Sequence, residues 1–243
     1  MVPSKASKKA YLDSGVKCKV EVVPHGVSEL YSRVNAKLTK LPTYSARPGT
    51  PIPSEGLNIL FFFLHSATRK GADIVLKTMR RILVDKPNVN FVLKAGYRSE
   101  LYNLPRTTYV ADWLAEIDLI KLFNACHILI APTRGGGFEL NVLEGLARGL
   151  VVVTSDLPAI QEFAKPYVLT VKSTDRKVKP LHNNPIHTGY GVDPDPEHFH
   201  ELLEHAIDNY DSLRKKAEEH APEIRKKYNW VEVAKIISKH LGR

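Results

Sequence analysis

The chain is poor in cysteine, in long apolar runs and in clustered acid. Its 243 residues include two cysteines, Cys18 and Cys126, far apart and in no metal-ligand spacing. That excludes a disulfide framework and fits structural thiols in a reducing, cytoplasmic setting. No apolar run approaches the ~20 residues of a membrane span, and no signal peptide opens the chain. No carboxylates gather at a spacing that implies a metal, and there is neither a nucleophilic triad nor a Cys/His pair. No G-x-G-x-x-G follows the first strand, which argues against a nicotinamide dinucleotide. No cofactor is implied. What is there is an ordinary globular composition, 43% hydrophobic and 25% charged, with length enough for a real core in one large or two small domains. Lys and Arg number 35 against 26 Asp and Glu, a net charge of +9. That excess favours anionic partners: nucleotide phosphates, nucleic acid or an acidic membrane face. The cations are spread over helices without interleaved aromatics, which speaks against nucleic acid.

The sequence is organised around Pro132 to Asp156, PTRGGGFELNVLEGLARGLVVVTSD. Before it, Ile128 to Ala131 form the short apolar run of a buried parallel strand. Arg134, Gly135, Gly136 and Gly137 then allow a sharp turn and a close approach to a ligand. Phe138 to Arg148 follows as a helix with Leu140, Leu143 and Ala147 on one face, stopped by Gly149; Leu150 to Val153 begins another buried strand. A glycine-rich turn between a strand end and a helix start sets backbone N–H groups beside a positive dipole end, a natural anion site.

The same alternation runs through the rest. Met1 to Lys19 reads as a basic segment with a helix ending near Gly15, Val20 to Val23 as a strand, and Ser28 to Lys40 as a helix. Pro42 to Glu55, with four prolines, is a loop. Leu57 to Leu64, with three consecutive Phe, reads as a central strand, and Ala72 to Val84 as the helix after it. Lys70 stands at the start of that helix, where a cation opposes the dipole unless an anion is bound. Strands at Val89 to Ala95 and Tyr109 to Asp112, a helix at Ala115 to Ala125 and a short strand at Tyr167 to Val171 continue the pattern. Helices around Phe199 to Tyr210, Leu213 to Tyr228 and Trp230 to Leu241 close it. Strand, loop, helix, strand throughout predicts an α/β fold: a Rossmann-like parallel sheet, helices on both faces, ligand at the carboxyl ends of the strands.

Gly136 to Gly149, GGFELNVLEGLARG, resembles the signature of GT-B retaining glycosyltransferases of the family 4 type, Glu-Gly-Phe-Gly-Leu-x-x-x-Glu-Ala-x-Ala-x-Gly. In that family the stretch holds a donor sugar nucleotide in the C-terminal domain. The match puts Glu144 at the ribose-gripping Glu and Gly136 where the family carries the Glu that contacts the sugar; Glu139 is the nearest carboxylate. The family's Gly-Arg-x-x-x-x-Lys-Gly falls on Leu64, His65, Lys70 and Gly71, so Lys70 is the phosphate lysine and His65 stands at the arginine, with Arg69 a candidate substitute. Tyr97 and Trp113 fall where the base is framed, although Trp113 suits the core or an interface equally well.

The resemblance implies retaining, hexosyl-type transfer from a nucleoside-diphosphate sugar, with this chain as the donor half. The expected catalytic residues are Lys70 and Glu139. The expected donor-binding set is His65, Arg69, Lys70, Tyr97, Trp113, Arg134, Gly136, Gly137, Phe138, Glu139, Leu140 and Glu144. Residues 1–19 would be a linker from an acceptor-binding domain, 20–228 the nucleotide-sugar domain and 229–243 a closing helix. A separate acceptor-domain polypeptide or an oligomer is the expected protein partner. The alternative is a degenerate or regulatory nucleotide-sugar-binding subunit.

Overall fold

The computed structural model describes residues 1–39, 51–63, 66–96, 104–111, 113–175, 177–179 and 189–242. Six strands form one sheet: β1 (Leu57–Phe63), β2 (Val89–Ala95), β3 (Thr107–Val110), β4 (Ile128–Ala131), β5 (Val151–Ser155) and β6 (Leu169–Val171). They lie in the order β3-β2-β1-β4-β5-β6 with every pairing parallel. The helices are α1 (Lys5–Asp13), α2 (Leu30–Arg33), α3 (Ala72–Asp85), α4 (Glu116–Ala125), α5 (Leu140–Ala147), α6 (Pro158–Ala164), α7 (Pro196–Asp208), α8 (Tyr210–Lys227) and α9 (Trp230–His240). None of the described helices is long and apolar enough to cross a membrane.

The side-chain period of two divides the core between the faces of the sheet. Leu60, Val92, Leu129 and Val152 meet Ile120 and Phe123 of α4, Leu143 of α5 and Ile160 of α6. Ile59, Phe61, Phe91 and Ile130 meet Ile74 and Met79 of α3 and Phe199 and Leu203 of α7. Both faces are covered, which is why the strands read as continuous apolar runs. The order of the strands reverses between β1 and β4, and a sheet of this kind opens a ligand crevice there, beyond its carboxyl ends.

Three glycines position the elements on either side of β4. Gly71 takes φ +75°, and any Cβ there would collide with the Pro132 backbone, so the turns after β1 and β4 are pressed together. The second, Gly145, lets α5 lie against Leu129 of β4. The third, Gly149 (φ +71°), ends α5, and its N–H donates to Leu146 O at 3.0 Å.

Some expectations do not hold. Val20 to Val23 is no strand; Val22 makes a single bridge to Val2. The helix expected over Ser28 to Lys40 is one turn, α2. Beyond it Asn124 donates to the carbonyls of Val34 and Ala36 at 3.0 and 2.9 Å, and the Leu38 N–H donates to Lys121 O at 2.8 Å, so the backbone bonds outward to α4. The third strand starts earlier than expected, at Thr107, where β-branched side chains suit the pleat.

Candidate functional site

Residues from four separate segments converge on one cavity of about 400 Å³ at the carboxyl ends of β1, β2 and β4. It is lined by Phe62, Lys70, Lys94, Trp113, Leu114, Leu119, Phe138, Glu139, Leu140, Asn141 and Glu144. Six of the residues expected from sequence are among them: Lys70, Trp113, Phe138, Glu139, Leu140 and Glu144.

At its polar end the Lys70 ammonium donates to Glu139 Oε2 at 2.5 Å. The Glu139 side chain is 3% exposed and that of Lys70 20%, so the pair is largely shielded from water. The other carboxylate oxygen, Oε1, fills the space where a side chain on Gly136 would stand. Glu139 also caps α5 through its backbone, its carbonyl accepting from Val142 N at 3.1 Å. The first turn of α5 therefore opens into the cavity beside Lys70, with its positive dipole end forward.

Glu144 lies one turn further along α5, near the buried Tyr31 of α2 and Glu116 of α4. Burial, foremost, and the Glu116 charge push its carboxyl up to about 7, against a smaller opposing effect of the Tyr31 hydroxyl. Burial and the nearby Glu144 in turn push the Tyr31 phenol above its ordinary range. Phe138 stacks on Phe163 at 4.6 Å, with His25 edge-on at 5.1 Å, which fixes the wall beside Glu139. Trp113 is 87% exposed at the mouth, so it is no core residue. Leu140 is 40% exposed and leaves the face of Leu143 and Ala147 to line the site.

Arg134 does not reach this cavity. Its guanidinium forks onto Asp73 at 2.7 and 2.8 Å and donates to Asp193 at 3.1 Å and to Thr68 O at 2.7 Å. It clamps the turn after β4 to the start of α3 and borders a different cavity, with Lys177, Lys179 and Tyr190. Arg69 likewise braces the glycine turn, donating to Gly135 O at 2.8 Å. The Gly137 carbonyl faces away and accepts from Ser4 and Ser7 of the α1 segment at 2.7 and 3.2 Å. His65 and Tyr97 lie outside the described residues.

Sequence reasoning missed Lys94, Phe62, Leu114, Leu119, Asn141 and Tyr31. One of them had a signal: a lysine inside the apolar run Val89 to Ala95. Tyr31 had none, since only the fold brings it to Glu144.

A doubly wound parallel sheet with a charged, helix-tipped crevice at its switch point defines a Rossmann-like α/β class. The model of the family "Glycosyl transferases group 1" matches residues 57–209, and the chain belongs to that family. It is 30% identical over 248 residues to "Putative glycosyltransferase 45" of Sulfolobus islandicus filamentous virus, covering 100% of this chain and 66% of that protein. Two solved structures share its GT-B type of fold. Sucrose-phosphate synthase of Thermosynechococcus elongatus has TM-score 0.67 and 17% identity, over 98% of this chain and 56% of its own. Anabaena Alr3699/HepE, in complex with UDP and glucose, has TM-score 0.68 and 14% identity, over 99% and 62%. The chain thus spans two thirds or less of the length of each of these three proteins.

Proposed function

We propose that the cavity binds a nucleoside-diphosphate sugar and that the chain is the donor-binding part of a retaining glycosyltransferase of hexosyl type. The observation that carries this reading is the convergence of Lys70, Glu139, the α5 N-terminus and Glu144 on one cavity, in a chain of the glycosyltransferase family. The diphosphate lies against Lys70 and the first turn of α5. An ammonium has three N–H donors, so Lys70 can keep Glu139 and still bond a phosphate oxygen. Glu144 accepts the ribose hydroxyls. Glu139, placed where a Gly136 side chain would reach, faces the transferred sugar.

In the reaction the bond from the sugar's anomeric carbon to the diphosphate oxygen breaks, and the electron pair leaves with the diphosphate. The acceptor oxygen bonds the same carbon on the same face, and its proton passes to the departing diphosphate. Lys70 and the α5 dipole act where that negative charge develops, so they favour the transition state over the bound donor. Acceptor recognition falls to a second domain facing the cavity, in the same polypeptide or in a partner.

Titration calorimetry with UDP, GDP, ADP, UDP-glucose and GDP-mannose tests the reading. At least one nucleoside diphosphate should bind, and its affinity should drop on Glu144→Ala. Silence with all five, or an unchanged affinity in the variant, would sink it.

A further inference from the structure

β2 is buried along its whole length, yet it carries a lysine near its end. Lys94 stands in register with Phe62 of β1 and Val110 of β3 and shares the sheet face of Val92, toward α4 and α5. It is 5% exposed and lines the candidate cavity. A strand covered on both faces ordinarily takes an aliphatic residue at such a position, because a shielded charge is costly without polar company. A polar group opening into a ligand cavity supplies a reason to keep it.

The place of Lys94 in the cavity is set by strand order. β4, β1, β2 and β3 lie side by side, at about 4.8 Å per step. Glu139 follows β4 and Lys70 follows β1, so the anionic part of a ligand sits at that end. Lys94, on β2, and Trp113 and Leu114, beyond β3, are at the other end, and Phe62 of β1 is the register neighbour of Lys94. Aromatic and aliphatic side chains gather there, with one shielded ammonium in the wall.

We propose that Lys94 reads the nucleobase, donating to a ring carbonyl oxygen, so that the site takes uracil or guanine and rejects adenine. The proposal rests on the reading of the cavity as a nucleoside-diphosphate site. An ammonium only donates, and it can hold a protein partner while giving a further N–H to a ligand. Uracil and guanine each present a carbonyl acceptor. Adenine has no carbonyl oxygen, and where guanine carries O6 its amino group would set donor against donor in a shielded position, where an unsatisfied polar group is costly.

The test is titration of UDP, GDP, ADP and inorganic pyrophosphate into the chain and into Lys94→Met, which keeps the volume of the side chain and removes the donor. The native chain should bind UDP or GDP about ten- to a hundredfold tighter than ADP. Lys94→Met should weaken the preferred nucleotide to near the level of ADP and leave ADP and pyrophosphate unchanged. Lys94→Gln, whose amide both donates and accepts, should narrow the preference and serves as a second reading if the Met variant does not fold. Tightest binding of ADP, or a preference that survives both substitutions, overturns the proposal. Equal loss of pyrophosphate also overturns it, by making Lys94 a phosphate ligand. Pyrophosphate binding without binding of any nucleotide overturns the base assignment and spares the phosphate end; no binding of any of the four removes both readings.

Discussion

The carboxylate of Glu139 fills the space beside Gly136, and that packing links the two positions. Any side chain at Gly136 meets Glu139 Oε1, so Gly136→Ala should displace the carboxylate and weaken binding of a nucleotide sugar more than of the bare diphosphate. The exchange Gly136→Glu with Glu139→Gly should recover part of the loss; titration of UDP-glucose or GDP-mannose against the matching diphosphate reads it. Lys70 needs a different design. Lys70→Ala leaves a carboxylate that is 3% exposed without its cation, at a cost of about 3 kcal/mol. Lys70→Met combined with Glu139→Gln should restore the melting temperature but not the affinity for diphosphates. A double variant that regains both would show that Lys70 touches no phosphate.

Glu144 sets stability against binding. Its carboxyl is raised from 4.5 to about 7 by burial and by Glu116, with the Tyr31 hydroxyl opposing. The folded protein therefore holds this proton more tightly than the unfolded chain. The resulting stabilisation is full below pH 4.5 and is lost as pH rises through 7. At pH 8 Glu144→Gln should stabilise the free protein by about 1–3 kcal/mol, seen in urea unfolding. The ionised carboxylate is the better acceptor for ribose hydroxyls, so nucleoside affinity should rise as pH passes through about 7 and level off above it. The Gln variant should bind more weakly and lose that slope. A slope that persists in the variant would assign the titration to another group.

Among the elements, α5 carries both carboxylates, and its seat on the sheet decides their geometry. An added methyl at Gly145 meets Leu129 Cδ2 at 2.7 Å. Gly145→Ala should therefore push α5 off β4, costing about 1–3 kcal/mol and weakening nucleotide binding with no contact to ligand changed. Calorimetry and thermal unfolding on the same sample read both effects. The elements legible in the sequence were those fixed by local pattern. The apolar runs of β1, β2 and β4, the glycine turn and the stop at Gly149 each follow from residues a few positions apart. The elements misread were decided elsewhere in the chain. Asn124 draws the backbone of Val34 and Ala36 away from helix. Asp73 and Asp193, remote in sequence, take up Arg134, which by motif position alone belonged to the ligand. The candidate site was legible as a motif on two loops with Trp113 beside them; Lys94 in its far wall depended on the order of the strands.

At the scale of the whole molecule, the basic N-terminal segment is tied to the domain beside the candidate site. Glu162 of α6 accepts from the Lys5 and Ala6 N–H groups at 2.8 and 2.7 Å, taking up orphan donors at the start of α1. Ser4 caps the same turn and donates to Gly137 O at 2.7 Å. Val2 bridges to Val22, which ties down the strand-like segment leading to His25 and Phe138. No residue of α1 is buried, so the helix holds its place through these polar ties more than through a core of its own. Glu162→Ala should cost about 1 kcal/mol, as the loss of a helix cap does. A helix with no buried residue can open locally without unfolding the sheet, so hydrogen exchange should speed up over residues 5–13 and at the glycine turn while β1, β2 and β4 stay protected. Uniformly faster exchange would mean instead that α1 folds as one unit with the sheet. In that case the glycine turn beside the candidate site would gain its order from the whole domain, without the specific help of the N-terminal helix.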